Sequence, residues 1–312
     1  MELIRGLASL PPPDGPTVVT IGSFDGVHLG HRAVLRRAVE EARVRGLRSV
    51  AVTFDRHPRE VLTPGREPRL LTTVERRAEL IGELGIDLVV VLEFTEDFSR
   101  WLAEEFIERV LVRGLRARHV VVGADFTFGY KALGTPEMLI QLGPSFGFTA
   151  ERVELVHQGE RRISSSAIRE ALAAGDLAWA ERALGRRFVL DGTVVRGAGR
   201  GAGLGYPTAN LQTPPRLLLP GSGVYAGRAR VPQGEYVAAI NVGTNPTFGV
   251  EPLHVEAYLL DFSGDLLGQP ISIEFWVRLR DEERFASAEE LRAQIAEDVR
   301  RTRELVPPPA SA

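Results

Sequence analysis

Between residues 17 and 175, short runs rich in β-branched residues alternate with stretches whose apolar positions recur at helical spacing. The runs at 17–21, 49–54, 86–92, 119–122 and 149–156 predict five strands. The periodic stretches at 31–45, 74–84, 101–112 and 166–174 predict helices; in the first, Val34, Leu35, Ala38, Val39 and Ala42 form one apolar stripe. Parallel neighbours need a long crossover and a helix supplies it, so this alternation predicts βαβ units around a Rossmann-like parallel sheet. Such a sheet opens its ligand crevice beyond the carboxyl ends of its strands, which directs attention to the segments after Ile21, Phe54 and Val122.

Past Gly185 the pattern changes to short alternating segments set among Gly and Pro, at 191–195, 224–231, 236–242, 254–260 and 271–277. This spacing predicts an antiparallel barrel or sandwich. A last helix is announced by Ser287 with Glu290, a capping box, and by Leu291, Ile295 and Val299 on one face; the prolines from 307 onward predict a frayed tail. Two domains follow, 1–185 and 186–312, in line with a length of 312 residues and a prior of about 150 per domain.

Composition narrows the chemistry. There is no cysteine, which removes thiolate metal sites and thiol nucleophiles. The net charge of −3 offers no global basic field for nucleic acid, so anion sites have to be local. Lys131 is the only lysine, and each arginine can grip a phosphate bidentately. No apolar run reaches the ~18 residues of a membrane helix, and Met1-Glu2-Leu3-Ile4-Arg5 lacks the pattern of a signal peptide. A cytoplasmic protein acting on small molecules, with neither nucleic acid nor membrane as partner, is expected.

Two segments carry chemistry. Gly22-Ser23-Phe24-Asp25-Gly26-Val27-His28-Leu29-Gly30-His31 ends the first strand and opens the first helix. Free N–H groups and the helix dipole favour an anion there, His28 and His31 can donate to it, and Gly26 and Gly30 allow close backbone approach. In the second half, Arg196-Gly197-Ala198-Gly199-Arg200-Gly201-Ala202-Gly203-Leu204-Gly205 has glycine at every second position from 197 to 205, a backbone able to wrap phosphates, although a mobile surface loop has the same glycine content. It is no Walker A loop, because the Gly-Lys-Ser/Thr ending is missing.

The first segment resembles the N-terminal half of the prokaryotic bifunctional riboflavin kinase/FAD synthetase family, within the nucleotidylyltransferases marked by His-x-Gly-His. Three further segments match in order: Thr53-Phe54-Asp55-Arg56-His57-Pro58, with Arg56 where the family often has Pro; Gly123-Ala124-Asp125-Phe126-Thr127-Phe128-Gly129; and Ile163-Ser164-Ser165-Ser166-Ala167-Ile168-Arg169, with Ser166 where Thr is common. The resemblance implies ATP and phosphate contacts at Gly22, Phe24, Gly30, Ser164, Ser165, Ser166 and Arg169, catalytic roles for His28 and His31, and flavin contacts at His57, Asp125, Phe126 and Phe128. Taken alone, Ser166 and Arg169 would read as a serine cap and a surface arginine. Phe94, Phe98, Trp101 and Phe106 read as core packing, and His119 and His157 as structural or surface residues.

In the second half, Leu204-Gly205-Tyr206-Pro207-Thr208-Ala209-Asn210 is similar to the riboflavin kinase signature, followed by 220–225, 241–248, 254–261 and 279–285 in family order. The resemblance implies phosphate contacts at Gly201, Gly203 and Gly205, Mg–ATP held by Thr208 and Asn210, Glu256 as general base, and flavin contacts at Arg280 and Phe285. One departure stands out: the family's Gly-Arg-x is Gly201-Ala202-Gly203 here, with Arg200 one place early, so either Arg200 reaches the phosphate or that contact is missing. The expected activity is phosphorylation of riboflavin to FMN, then adenylylation of FMN to FAD, with Mg²⁺ as cofactor and ATP as co-substrate. Two alternatives are another nucleotidylyltransferase with a non-catalytic flavin-binding β domain, and a flavin sensor with degenerate sites.

Overall fold

The computed structural model describes residues 1–7, 15–197, 199–244 and 253–309, with the side chains of Arg200 and Ala202 outside that description. Ala198 and the matched stretch 245–248 also lie outside the described residues. The chain divides into two compact units, Met1–Ser165 and Ser166–Ala312.

The first unit runs β1 (Glu2–Arg5), β2 (Thr17–Ile21), α1 (Leu29–Arg45), β3 (Arg48–Phe54), α2 (Arg59–Leu62), α3 (Val74–Gly82), β4 (Leu88–Leu92), α4 (Glu96–Ser99), α5 (Ala103–Phe106), β5 (Ala117–Gly123), α6 (Pro136–Phe146) and β6 (Thr149–Val153). All six strands are parallel, in the order β1-β4-β3-β2-β5-β6. Alternate residues of each strand serve opposite faces, as the strand period requires. Val19, Val50, Val52, Val90 and Val120 pack against Phe106, Ile107 and Leu139 on one face; Val18, Ala51, Val89 and Val121 pack against Leu35, Ala38 and Ile81 on the other. The sheet order reverses at β2, the switch point at which the carboxyl ends of β3, β2 and β5 meet.

Three expectations change here. β1 adds an edge strand that four residues with charged ends do not announce. The strand expected over 149–156 stops at Val153, and the chain goes on into a small hairpin of β7 (His157–Gln158) and β8 (Arg161–Arg162). The helix expected over 101–112 is α5 followed by a π-helical stretch, Ile107–Gly114. Its wider turn, seen in the bond from Leu115 N–H to the Val110 carbonyl at 2.9 Å, buries Ile107, Val110 and Leu111 together.

The second unit contains α7 (Ser165–Ala173), α8 (Leu177–Leu184), β9 (Phe188–Val195), α9 (Arg200–Gly203), β10 (Ala209–Gln212), β11 (Gly223–Val231), β12 (Gly234–Gly243), β13 (His254–Leu259), β14 (Pro270–Arg280) and α10 (Ala288–Leu305). Its six strands close into a barrel, β10-β13-β12-β11-β14-β9, with β9 returning to β10; this decides between barrel and sandwich. β10, unannounced because it is four residues long and follows Pro207-Thr208, is the staff that closes it. α8 ends on Gly185 at φ 68°, packs on β9 and β14, and so folds with the barrel. α10 is capped by Ser287, whose hydroxyl accepts from Glu290 N–H at 3.2 Å. The expected fraying from 307 does not hold for its first residues: Val306 is buried, and the Pro307 carbonyl accepts from Arg228 at 2.9 Å.

Candidate functional sites

In the first unit the site grows out of the turn between β2 and α1. His28 is the N-cap of α1, with its Nδ1 accepting from His31 N–H at 3.3 Å. The two imidazoles stack with centroids 3.6 Å apart, and the edge of Phe24 closes on His31 at 5.4 Å. Gly30 leaves room for the His28 ring, which a Cβ there would meet at 3.1 Å and push aside by a few tenths of an ångström. Phe24 and Val27 have φ of 47° and 40°, conformations costing roughly 1–3 kcal/mol each for residues with a Cβ. The strained turn therefore brings two imidazoles and the start of a helix to one place.

Ser165 joins it: its hydroxyl donates to the Asp25 carbonyl at 2.9 Å. Asp25 is buried and its carboxylate accepts from the N–H groups of Leu71 (2.9 Å) and Thr72 (3.1 Å). Ser164 is half-buried beside Ser165; on α7, Ser166 is exposed and Arg169 half-buried. After β3, His57 is half-buried and its Nδ1 accepts from Arg59 N–H at 3.1 Å, while Arg56 pairs with Asp55 at 2.7 Å. After β5, Phe126 stacks on Phe128 at 5.5 Å. Phe128 is itself buried against Phe106, so it backs Phe126 instead of presenting its own ring. Phe106 is a core residue with Phe94, Phe98 and Trp101 packed around it, as expected of that cluster.

Sequence reading missed two residues here. Arg162, on β8, forms an ion pair with the exposed Asp125; its position just before the Ile163-Ser164-Ser165 run was the available signal. Arg77, on α3, is fully buried and donates from Nη1 to Thr53 Oγ1 at 3.1 Å and to the Phe54 carbonyl at 3.0 Å. A charge in a helical pattern gives no sign that it points inward.

In the second unit a cavity of about 610 Å³ is lined by Gly201, Tyr206, Thr208, Asn210, Asn241, His254, Glu256, Tyr258, Arg280, Phe285 and the α10 face Leu291, Ile295 and Val299. Gly203 and Gly205 are exposed and outside this lining. Asn210 and Glu256 are cross-strand neighbours on β10 and β13, and Thr208 donates to Glu256 Oε2 at 3.1 Å. His254 Nε2 lies 3.5 Å from the other carboxylate oxygen. Only part of the glycine alternation is sterically demanded: a Cβ at 197 would strike the Asn210 amide at 2.1 Å, and one at 201 the Tyr206 carbonyl at 2.3 Å. Within this loop α9 forms a single helical turn. Arg280 is bound bidentately to the buried Asp298 of α10, at 2.7 and 3.1 Å, with its guanidinium 5.7 Å from the Phe285 ring. Asp298, which Gln294 also contacts at 3.0 Å, is a lining residue that one acidic position on a charged helix did not reveal.

Comparison with known proteins agrees with this division of labour. Residues 11–167 match the family model for FAD synthetase, and residues 184–306 match that for riboflavin kinase. A bifunctional riboflavin kinase/FMN adenylyltransferase of Pseudomonas fluorescens is 41% identical over 311 residues, covering 99% of each chain. The chain belongs to the bifunctional riboflavin kinase/FMN adenylyltransferase family. Family members of the same description from Escherichia coli K12 and Bacillus subtilis are 38% and 37% identical, covering 97% and 90% of both chains. Among solved structures, one described as a macrolide-efflux protein from Streptococcus pneumoniae matches with a TM-score of 0.88 and 30% identity, over 98% of this chain and 100% of that one. Among the described residues, no helix is long and apolar enough to cross a membrane.

Proposed function

We infer that this chain converts riboflavin to FAD in two ATP-dependent steps, phosphorylation in the C-terminal barrel and adenylylation in the N-terminal parallel-sheet half. One observation carries the reading: the two halves match the FAD synthetase and riboflavin kinase family models separately, and bifunctional family members cover almost the whole chain. By role the halves divide near 185, with the serines and Arg169 of 164–169 serving the transfer reaction.

In the barrel, Glu256 is the general base. It accepts the proton of the ribityl 5′-hydroxyl as that oxygen attacks the γ-phosphorus of ATP, with Thr208 and Asn210 at its side. The Thr208 hydroxyl gives its proton to Glu256 and keeps its lone pairs, and Asn210 offers an amide oxygen; both are hard, neutral donors of the kind Mg²⁺ takes alongside phosphates. Bound there, Mg²⁺ would neutralise charge on the transferring phosphoryl group. Gly201 lines the phosphate side of the cavity, and Arg280 and Phe285 flank the flavin.

In the sheet half, a phosphate oxygen of FMN attacks the α-phosphorus of the second ATP, the bond to pyrophosphate breaks, and FAD results. The nucleophile belongs to the substrate, so this chain's contribution is position and charge. His28, His31 and the amides of the first turn of α1 hold the α-phosphate where negative charge builds, while Gly22 and Phe24 shape the turn. Ser164, Ser165, Ser166 and Arg169 grip the remaining phosphates; Asp125, Phe126 and His57 face the flavin, with Phe128 behind. The reading places the enzyme in the cytoplasm, acting on small molecules with neither nucleic acid nor membrane as partner.

Incubation with riboflavin, ATP and Mg²⁺, with products separated by chromatography, tests the reading: FMN appears first and FAD follows. Formation of neither product overturns it.

A further inference from the structure

Arg77 is the largest fully buried side chain of the molecule's described residues, and the carboxylates of Asp25, Glu75 and Asp55 favour its charge against the cost of burial. Among the described residues its hydrogen bonds go to a hydroxyl and a carbonyl, not to a carboxylate, and its Nε, also buried, makes none. A buried charge of this kind is retained at a cost that an apolar side chain of similar length would avoid. What its bonds do is specific. Nη1 donates to Thr53 Oγ1 at 3.1 Å, and Thr53 Oγ1 in turn donates to the Ser23 carbonyl at 3.0 Å. The same Nη1 holds the Phe54 carbonyl, at the end of β3.

Ser23 opens the turn in which Phe24 and Val27 are held at positive φ, Val27 being β-branched and so especially averse to it. The other side of that turn is anchored by Asp25 on the backbone of Leu71 and Thr72, and by Gly26 N–H donating to Thr72 Oγ1 at 3.2 Å. The residues that follow are His28, whose ring caps α1, and His31, stacked upon it. A strained conformation persists only where its surroundings over-determine it, and the relay through Thr53 is the direct tie on Ser23.

We propose that Arg77 is a positioning residue for adenylyl transfer, acting through Thr53 and Ser23 to lock the strained β2–α1 turn that aims His28 and His31. The proposal rests on the reading of those histidines as the phosphate-binding pair. Displacing the pair by a fraction of an ångström removes transition-state contacts while leaving most of the ATP and FMN surface to bind, so kcat falls and KM does not.

The experiment uses the full chain and follows FMN-to-FAD conversion, with riboflavin phosphorylation by the same preparation as an internal control. Thr53→Val, nearly isosteric, and Arg77→Met, of similar length, each lower kcat for FAD formation about tenfold, with KM for ATP within about twofold and the kinase rate unchanged. The thermal midpoint of Thr53→Val stays within a few degrees of the parent. Parent-like kcat in both variants overturns the proposal, as does a loss spread equally over both activities or a rise in KM alone. If Arg77→Met does not fold, Thr53→Val decides. Separately, His28→Ala and His31→Ala test the underlying reading: full FAD synthesis in those variants sinks it, whereas their inactivity beside parent-like Thr53→Val and Arg77→Met sinks only the role of Arg77.

Discussion

At the scale of single residues, the proposed general base of the barrel, Glu256, is a carboxylate with one oxygen bonded by Thr208 and the other facing His254. Glu256→Gln keeps the shape and the contact with Thr208 but cannot take the ribityl proton; a general base contributes about 10²–10⁴-fold, and riboflavin phosphorylation should fall by that much. Fed FMN and ATP, the same variant should make FAD at the parent rate, so paired assays check the prediction. The glycines separate in a way that composition could not show. Gly201→Ala drives a methyl group into the Tyr206 carbonyl, whereas a Cβ at Gly203 meets nothing within 4 Å. Gly201→Ala should therefore raise KM for ATP in the kinase reaction several-fold, while Gly203→Ala leaves it unchanged.

At the scale of elements, the sequence was most informative where burial on both faces forces an unbroken apolar run. The five residues of β4, Leu88 to Leu92, are all buried, and so are those of β2. It was least informative where tertiary contacts choose the geometry: β10 exists because β9 and β13 flank it, and the π-helical turns of 107–114 exist because three apolar side chains reach one core. Of the barrel residues named by motif, Gly201, Thr208, Asn210, Glu256, Arg280 and Phe285 line one cavity while Gly203 and Gly205 do not; Arg77 and Asp298, which look like surface charges on amphipathic helices, carry no local mark of being buried. His119, on β5, reads as structural and is: Nδ1 shares a hydrogen bond with Thr149 at 2.8 Å, and Glu151, Glu41, Arg37 and Arg45 surround it. Burial, then the Arg45 charge, push its pKa below the ordinary 6.5, against the pull of Glu151. As pH falls through about 6.5 the unfolded chain takes up a proton that the folded chain refuses, so stability drops with falling pH until the folded value is reached. A thermal melt series from pH 7 to pH 5 should show a flatter decline in His119→Gln than in the parent.

At the scale of the whole molecule, the two halves solve one problem of phosphate recognition by different means. A chain with net charge −3 has no general attraction for ATP. In the proposed sites the sheet half would rely on a helix start with two imidazoles, and the barrel on oxygen donors and glycine backbone. The halves also differ in how their strands end. The barrel closes on itself, whereas the open sheet has β1 as its last strand on one side, four residues long and fringed by ion pairs from Glu2 to Arg48 and from Arg5 to Glu75. What β1 shields is the hydrogen-bonding edge of β4, five consecutive aliphatic residues with no charge among them. A chain beginning at residue 15 would offer that bare edge to its neighbours, and edges of this kind recruit strands from other molecules. Light scattering should then show concentration-dependent association absent from the chain that keeps residues 1–14. The short strand β1, which carries no motif of its own, would thus act as the molecule's guard against self-assembly.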